Sequence, residues 1–480
     1  MKTITKFLLY LLFIFVFYSQ AISSDKPGEK WSRFRGPNGS GVVTATGLPL
    51  EFGPDKNMIW KTELPKGHSS PILSEKYIFL TAFSGDTLFT FCLDRKDGKI
   101  LWRKQSPRDR QEKIDARNNP ASPSPVVDEE NVYVFFADYG LISYDFTGNE
   151  RWRYPLSPFN NIYGMGASPI LADNKVILNC DQSTNSFLLA LDKNSGKVIW
   201  NIKRPEAKSG HSTPILYYPK NGKAELIVPG SFFLTSYAID SGSKNWWVSG
   251  LSFEMKSTPV MSDDIIFVNG YGSPMNQPDK IVTVPHYQEV WKEQDKDGNG
   301  LLSKEELPEG KIQAWFSFMD LNHDKNMSPD EWEYYKAALG SKNGMLGIRL
   351  GGHGDMTETN LLWQYHKSVP QLPSPLIYKN ILYMVNDGGI VTSFNPSNGE
   401  VIKQVRLLGA VDAYYSSPVA ADDKIFMIAR SGKVSVLKPD GSLEIMAVND
   451  LGDKCYATPA ISKNRIYIRT VGALYCFGKL

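Results

Sequence analysis

A Ser/Thr-Pro step followed by two apolar residues recurs eight times along the chain, and this repeat constrains the fold more than any other feature. Six of the seven intervals between these prolines are 41 to 54 residues long, whereas one is 116. A four-stranded propeller blade typically occupies about 40 to 50 residues. The repeat therefore predicts eight blades, with an insertion in the fifth. The prolines are Pro71, Pro125, Pro169, Pro214, Pro259, Pro375, Pro418 and Pro459.

Short apolar segments separated by turn residues fill each repeat. In the first repeat, residues 77–80 and 88–91 are apolar and flank a Ser-Gly-Asp turn at residues 84–86. Later repeats have residues 386–389 and 430–433 at the same place, where tight hairpins need residues that tolerate positive φ. The pattern predicts antiparallel strands and an all-β fold. Helical spacing occurs only in the insertion.

An Asp, a turn Gly and a Trp follow the hairpin in several repeats. Asp192, Gly196 and Trp200 form one such set, and the first, second and fourth repeats contain equivalents. A Trp on an outer strand can bury about 200 Å² against the neighbouring blade. The sixth and seventh repeats have the turn but lack the Trp, so the packing there must use Val401, Ile402 or Ile445.

These repeats resemble the tryptophan-docking repeats of the pyrroloquinoline-quinone-like propeller family, and the resemblance covers nearly the whole chain after the N-terminus. It implies an eight-bladed β-propeller. The family includes dehydrogenases that hold pyrroloquinoline quinone over a central Trp, and non-enzymatic scaffolds that assemble the outer membrane. The dehydrogenases commonly have an adjacent Cys-Cys pair and some have a haem domain. This sequence has neither, which favours a binding or scaffold protein over the alternative, a quinone-dependent alcohol or sugar oxidoreductase with a divergent site.

The two ends of the chain are predicted to share one blade. After Pro459 the sequence has room for only three strands before Leu480. Near the N-terminus, residues 58–64 form an apolar strand with a docking-type residue, Trp60, and no blade of their own. We expect this strand to complete blade eight, because closure then leaves no open sheet between the termini.

The insertion contains two dodecamers with the pattern of calcium-binding EF-hand loops. Residues 295–306 and 320–331 both place oxygen donors at positions 1, 3, 5, 9 and 12, and amphipathic helical segments flank them. The alternative is a pair of Asp-rich solvated loops. The predicted calcium ligands are Asp295, Asp297, Asn299, Leu301, Ser303 and Glu306 in loop one, and Asp320, Asn322, Asp324, Asn326, Ser328 and Glu331 in loop two.

The two loops differ at position 6, which requires a turn that glycine makes freely. Loop one has Gly300 there, whereas loop two has Lys325. A side chain in the left-handed conformation costs roughly 1–2 kcal/mol. Lys325 also places a positive charge near the cation. We therefore expect loop one to bind calcium more tightly, with a structural rather than a signalling role, and we expect Leu302 to pair with the sister loop.

A second candidate site follows from the repeat itself. The residue three positions before each proline should begin the innermost strand and face the central channel. Two His, one Lys and two Tyr would then converge and could bind an anionic or sugar-like ligand. A hydrated channel mouth without a ligand is the alternative. The eight residues are His68, Ser122, Gly166, His211, Lys256, Leu372, Tyr415 and Tyr456.

The N-terminus has the pattern of a secretory signal peptide, with a basic start, an apolar run and small residues before the cleavage site near residue 21. The apolar run is shorter than the ~20 residues that span a bilayer, so we expect no membrane span after cleavage. An uncleaved anchor is the alternative. The expected location is the periplasm or the exterior.

Charge and cysteine content exclude several function classes. The 53 basic and 51 acidic residues give a formal charge of +2, which offers no electrostatic basis for binding nucleic acid. Four cysteines with no metal-type spacing permit disulfides but do not require them, and a buried apolar role is favoured. The expected partners are calcium ions and another exported protein or a carbohydrate-like ligand.

The predicted organisation has five parts. Residues 1–21 are the signal peptide and 22–57 an N-terminal segment, in which residues 33–39 could cover one face of the propeller. Residues 58–284 begin the propeller with the closing strand and blades one to five. Residues 285–347 form the EF-hand insertion, and residues 348–480 complete the propeller. Residues 351–355 are interpreted as the loop that returns from the insertion.

Overall fold

Eight antiparallel sheets surround a central channel in the computed structural model, which describes residues 30–108, 110–156 and 158–479. The all-β, eight-bladed propeller is confirmed. The predicted signal peptide lies outside the described residues. None of the helices that the structure describes is long and apolar enough to cross a membrane.

Strand β1 (Met58–Glu63) comes first in the chain, and the strands of blades one to four then follow in order from the channel outward. Blade one has β2 (Ile72–Leu73), β3 (Tyr77–Ser84), β4 (Thr87–Asp94) and β5 (Ile100–Pro107), and blade two has β6 (Val126–Val127), β7 (Asn131–Phe136), β8 (Gly140–Asp145) and β9 (Glu150–Tyr154). Blade three has β10 (Ile170–Ala172), β11 (Lys175–Cys180), β12 (Phe187–Asp192) and β13 (Val198–Lys203), and blade four has β14 (Ile215–Tyr217), β15 (Glu225–Pro229), β16 (Phe233–Ala238) and β17 (Lys244–Ser249).

Blade five is interrupted by the insertion, and blades six to eight complete the ring. Blade five begins with β18 (Val260–Ser262) and β19 (Ile265–Gly270), and the insertion then supplies α1 (Tyr287–Gln294), β20 (Leu302–Ser303), α2 (Lys311–Ala314), α3 (Phe316–Met319), β21 (Asn326–Met327) and α4 (Pro329–Gly340). Next come β22 (Gly344–Arg349), β23 (Gly354–Asp355), α5 (Thr357–Asn360) and β24 (Leu361–Tyr365). The last three blades have β25 (Leu376–Tyr378), β26 (Ile381–Val385), β27 (Ile390–Phe394), β28 (Val401–Arg406); β29 (Val419–Ala421), β30 (Lys424–Ile428), β31 (Lys433–Leu437), β32 (Ile445–Asp450); and β33 (Ala460–Ser462), β34 (Arg465–Arg469), β35 (Ala473–Gly478).

The Ser/Thr-Pro repeat has a structural cause. The backbone N–H of the residue before the proline donates to the side-chain hydroxyl of its equivalent in the next blade. In the described chain seven of the eight steps around the ring have this bond, with distances from 2.9 to 3.1 Å, and the step from Thr213 to Thr258 lacks it. The ring ends where it began, because Thr458 of blade eight donates to Ser70 of blade one. These hydroxyls therefore join the innermost strands into a closed belt.

The predicted closure between the chain ends is confirmed. Strand β1 pairs antiparallel with β35, and Trp60 lies opposite Cys476. Blade eight thus has the order β33, β34, β35, β1, with the N-terminal strand outermost. Trp60 is buried and packs at 6.0 Å from the Tyr467 ring. The first and last parts of the chain therefore share one hydrophobic core.

Tryptophan docking between blades is equally regular. The indole N–H of Trp102, Trp152, Trp200 and Trp363 donates to a turn carbonyl of the following blade at 2.8 to 2.9 Å. The turn needs glycine: at Gly196, φ is +69°, and an added Cβ would lie 2.7 Å from the Trp152 ring. In blade six, which lacks a Trp, the Ile402 side chain lies near Gly441 instead.

The third strand of blade five is not where the sequence predicted it. The sequence ended the first part of the propeller at residue 284, which would place this strand before the insertion, but β19 pairs with β22 along its whole length, from Gly270 opposite Gly344 to Ile265 opposite Arg349. The insertion therefore spans residues 271–343, so both boundaries of the predicted segment, 285 and 347, are wrong. Residues 281–284 have the composition of a strand but form none, and Val282 is exposed.

The segment from 350 to 360 is more than a returning loop. It connects the third and fourth strands of blade five, and β23 within it pairs parallel with the outer strand of blade four. Trp246 lies opposite Gly354 in this pair, and the Trp246 indole donates to the Glu225 carboxylate rather than to a turn carbonyl. Blade four consequently has a fifth strand in place of a docking turn.

Removing β1 should destroy the closure. A chain that begins at Pro65 would expose the edge of β35 and lose the Trp60 packing, and exposed edges of this kind favour aggregation. We expect this truncation to be aggregated or unfolded in size-exclusion chromatography and circular dichroism, whereas a chain that begins at Lys30 behaves as the full protein. A monomeric product with an unchanged melting temperature would show that β1 is dispensable.

Candidate functional site

The N-terminal segment closes one end of the central channel. Its backbone carbonyls accept hydrogen bonds from innermost strands, as between Gly41 and Ala420 at 2.8 Å. The Arg35 guanidinium donates to the Pro375 carbonyl at 2.7 Å, and Arg33 donates to the Pro214 carbonyl. The segment around residues 33–39 therefore seals the propeller by using carbonyls of the same repeated prolines that define the blades.

We call residues 33–39 the plug. Its two arginines are buried without a carboxylate partner among the described residues. Arg35 is fully buried, and burial lowers its pKa to about 9. Burial likewise lowers the pKa of Arg33 to about 10. Phe34, which lies between them in the sequence, lines the channel. The plug thus contributes an aromatic side chain to the wall of a cavity.

All eight residues predicted from the repeat line this single cavity of about 220 Å³. They lie just before the innermost strands rather than within them, since each strand begins at the residue after the proline. Seven hydroxyls of the belt line the same cavity, namely Ser70, Ser124, Ser168, Thr213, Ser374, Ser417 and Thr458. Each accepts a backbone N–H, and none donates its own proton to a group that the structure describes.

Two aromatic groups form facing walls of the cavity. On one side the His68 imidazole stacks on Tyr456 with a centroid distance of 4.0 Å, and Tyr415 lies 5.0 Å from Tyr456. On another side His211 meets the edge of Tyr163 at 6.1 Å. The Nε2 atom of His211 is buried and has no hydrogen-bond partner among the described residues.

Both histidines are neutral at ordinary pH. Burial lowers the pKa of His68 to about 3, and the nearby Arg469 charge adds to this effect. Burial also lowers the pKa of His211 to about 3, with a further contribution from the Lys256 ammonium. A neutral imidazole can both donate and accept a hydrogen bond.

The two cations that line the cavity already have carboxylate partners. Arg117 forms two hydrogen bonds with Asp115, at 2.7 and 2.9 Å, which hold the pKa of that carboxyl below its usual range. The Lys256 ammonium lies 2.7 Å from Glu254, and both side chains are over nine-tenths buried. The charges in the cavity wall are therefore paired and close to balanced overall.

Sequence reasoning missed the residues at the cavity mouth. Asp115, Arg117 and Tyr163 lie in connections between blades, outside the repeated positions. One signal was available, because the interval of 54 residues between the first two prolines is longer than the others of normal length. The extra residues of that connection supply Asp115 and Arg117.

The insertion brings three of the predicted calcium ligands together. Carboxylate oxygens of Asp295, Asp297 and Glu306 lie within 4.8 Å of one another. Asp295 Oδ1 is buried and receives no hydrogen bond from a described residue. Gly300 N–H donates to Asp295 Oδ2 at 3.0 Å, and Ser303 donates to Glu306. The loop backbone thus turns its carboxylates inward.

The second loop follows the same path with different side chains. Lys325 N–H donates to Asp320 Oδ2 at 3.0 Å, and Ser328 donates to Glu331. The loops pair as predicted, with Leu302 opposite Met327. His323 and Lys325 have φ of +61° and +70°, where loop one has Gly298 and Gly300. Loop two therefore contains two non-glycine residues in the left-handed region.

The insertion packs on the propeller close to the cavity. Asn160 donates to the Leu321 carbonyl at 2.6 Å, and the Phe318 and Phe253 rings lie 6.2 Å apart. Tyr334 of α4 contacts Phe232 at 5.7 Å, and burial raises the pKa of Tyr334. This contact region includes Glu254, the partner of Lys256. One carboxylate therefore lies between the insertion and the cavity wall.

The cavity residues do not fit pyrroloquinoline quinone. None of the described residues that line it is a Trp or a Cys. The four cysteines are all described, free and buried elsewhere in the strands and turns, as the sequence favoured. The quinone has three carboxylates, and both cations in the wall are already paired.

The buried histidines predict a pH dependence of stability. In the unfolded chain the two histidines bind protons near pH 6.5, whereas in the folded chain they remain neutral down to about pH 3. The free energy of unfolding therefore falls as the pH drops through this window. We expect the loss of melting temperature between about pH 7 and about pH 4.5 to be smaller in the double variant His68→Gln/His211→Gln. The exposed His353→Gln variant is the control. If the melting temperatures of the wild type and both variants fall equally with pH, the lowered pKa values assigned to His68 and His211 are wrong.

Comparison with known proteins agrees with this architecture. A family model described as outer membrane protein assembly factor BamB matches residues 352–477. BamB of Yersinia pestis is 23% identical over 425 residues, which cover 82% of this chain and 92% of that protein.

Two solved structures extend the similarity over the fold. BamB of Moraxella catarrhalis has a TM-score of 0.53 at 12% identity, covering 87% of this chain and 97% of its own. A europium-containing methanol dehydrogenase has a TM-score of 0.60 at 9% identity, covering 95% and 98%. The eight repeats, their docking tryptophans and these matches all agree, so the chain is an eight-bladed β-propeller that is similar to the pyrroloquinoline-quinone-like repeat proteins.

Proposed function

We propose that this chain is an exported binding protein that holds a small ligand in its central cavity, with calcium stabilising the insertion beside it. The observation that carries the proposal is the cavity itself, which the plug closes at one end and which hydroxyl, imidazole and phenol groups line. Few polar groups arranged around a concave apolar surface are typical of ligand sites. The N-terminal signal pattern supports a periplasmic or secreted location.

A scaffold role is the second candidate. Its support is the similarity to BamB of Yersinia pestis, which covers 92% of that protein and whose name describes an outer membrane assembly factor. In this role the partner is another exported protein. The two roles use different surfaces, because a protein partner would contact the outside of the propeller and a small ligand its centre.

The calcium proposal rests on charge and geometry in loop one. Two carboxylates about 4 Å apart repel each other by roughly 1–4 kcal/mol per pair, depending on the local dielectric. Three such groups converge here, and Asp295 Oδ1 is buried without a donor. A divalent cation would offset both costs. Asp295, Asp297, Asn299, the Leu301 carbonyl, Ser303 through a water and Glu306 would hold it.

Loop two would bind calcium through the equivalent positions, Asp320, Asn322, Asp324, the Asn326 carbonyl, Ser328 and Glu331. We expect it to bind more weakly than loop one, because His323 as well as Lys325 has a positive φ and Lys325 also places a positive charge near the ion. The bound ions would also stiffen the contact of Leu321 with Asn160. Calcium would then hold the insertion against the cavity wall.

The affinities of the two loops can be separated with matched variants of the full chain. Glu331→Gln removes the bidentate ligand of loop two and leaves loop one, whereas Glu306→Gln does the reverse. We expect calorimetry to give a Kd about tenfold lower for Glu331→Gln than for Glu306→Gln, which corresponds to ~1.4 kcal/mol. Adding His323→Gly and Lys325→Gly to Glu306→Gln should narrow the difference. Equal affinities, or tighter binding by loop two, would refute the role assigned to these residues.

Ligand binding in the cavity can be tested with two Leu→Trp variants. Leu372 lines the cavity, so Leu372→Trp should fill it, whereas Leu408 is 72% exposed and Leu408→Trp should leave it open. We expect equilibrium dialysis against a mixed set of small metabolites to give at least one compound retained by the wild type and by Leu408→Trp but not by Leu372→Trp. If no compound distinguishes the folded variants, the scaffold role replaces this proposal.

A further inference from the structure

The composition of the cavity wall identifies the chemistry of its ligand. We infer that the central cavity binds one ring of a neutral sugar, held between the tyrosine and histidine walls and the belt of hydroxyls. This inference rests on the proposed role of the cavity as a binding site. It separates two ligand classes that the sequence left open, the anionic and the sugar-like.

Charge disfavours an anion. The two lining cations are neutralised, Arg117 by its paired hydrogen bonds to Asp115 and Lys256 by Glu254. An anion would have to displace one of these carboxylates or lose its hydration without compensation, and burying an unpaired charge is expensive. The same argument applies to a cation, because each carboxylate already has its partner. An uncharged ligand neither has to displace a paired charge nor loses the hydration of a charge of its own.

Hydrogen bonding favours a ligand that both donates and accepts at many positions. The seven belt hydroxyls each retain a proton to donate, as argued above, and a hydroxyl hydrogen can rotate to suit the acceptor. The unpaired Nε2 of His211 adds a further hydrogen-bonding position. Asn118 and Gln371 also line the cavity. Sugar hydroxyls match this mixture, because each of them can donate and accept at once.

The aromatic side chains supply the other half of the recognition. Tyr415 and Tyr456 line one side of the cavity, Tyr163 lines another, and Phe34 of the plug also lines it. A sugar ring has an apolar face of C–H groups that can lie against such rings, while the phenol groups remain available for hydrogen bonds. An alkyl chain would pack against the rings but would offer no acceptor for the protons of the belt hydroxyls.

Size favours a small ligand in the cavity. Its volume of about 220 Å³ is below the ~300–1,000 Å³ typical of sites for drug-sized ligands. It therefore suits a monosaccharide, which has about half as many non-hydrogen atoms as the quinone. The mouth beside Arg117 is open to solvent, and that side chain is 53% exposed. A free monosaccharide and the terminal residue of a longer glycan both meet these limits.

The test measures sugar binding by calorimetry and saturation-transfer NMR on the full, calcium-loaded chain. The probes are glucose, galactose, mannose and N-acetylglucosamine, together with glucuronate and glucosamine as charged counterparts. We expect at least one neutral sugar to bind at one site, and its charged counterpart to bind at least tenfold more weakly. The disaccharide that ends in the same sugar distinguishes the sources: equal or tighter binding indicates a glycan end, and exclusion indicates a free monosaccharide.

Variants locate the binding within the cavity. Tyr415→Leu and His211→Leu should each weaken sugar binding at least tenfold, while Leu408→Trp on the outer surface should leave it unchanged. Melting curves check that each variant is folded. Two cavity variants are used so that the test still works if one of them does not fold. A charged sugar that binds as tightly as the neutral one, or binding that survives both cavity variants, overturns the inference.

Failure of this inference and failure of the proposed function give different results. If no neutral sugar binds, but dialysis yields another compound that Leu372→Trp excludes, the cavity is a ligand site and only its assigned chemistry is wrong. If neither sugars nor any other compound distinguish Leu372→Trp from Leu408→Trp, the binding function fails as well.

Discussion

The belt of hydrogen bonds between successive Ser/Thr-Pro steps is the interaction on which the rest of this structure depends. Seven of the eight hydroxyls accept a backbone N–H from the preceding blade, and these bonds link the innermost strands of neighbouring blades around the channel. The prolines that follow leave their carbonyls free, and Arg33 and Arg35 of the plug use them. The same short motif therefore sets the blade spacing, anchors the plug and lines the cavity. The one step without the bond, from Thr213 to Thr258, leads into blade five, which also contains the insertion.

Much of this could be read from the sequence because the belt imposes a strict local requirement. Each blade needs a small hydroxyl side chain followed by a proline, so the motif recurs every 41 to 54 residues outside blade five. The cavity residues lie three positions before each of these prolines. The N-terminal strand was predictable for a similar reason, since Trp60 has the docking position without a blade around it. The pairing of Leu302 with the sister loop also followed from spacing alone.

The errors arose where no repeated contact constrains the residues. The third strand of blade five begins after 73 residues of insertion. It is buried from Gly344 to Ile348, so its sequence lacks the alternation of apolar and polar residues that marks a strand. Residues 281–284 have the composition of a strand but form none. The mouth of the cavity was missed because Asp115, Arg117 and Tyr163 come from connections of individual length. The sequence also did not show that the charges in the cavity are balanced, because this depends on the pairing of Arg117 with Asp115 and of Lys256 with Glu254. His323 required the backbone angles, because nothing in the residue type itself indicates positive φ.

The propeller has at its centre a neutral, hydroxyl-rich cavity that the plug closes at one end, and the acidic insertion packs against the propeller beside it through Tyr334 and Asn160. We propose that the ligand binds in this cavity. The most direct measurement is a crystal structure of the calcium-loaded protein grown with a neutral monosaccharide that binds in solution. We expect electron density for one sugar ring between Tyr456 and His211, in contact with the belt hydroxyls. Density for the sugar on an outer face of the propeller, with the cavity holding only water, would contradict it.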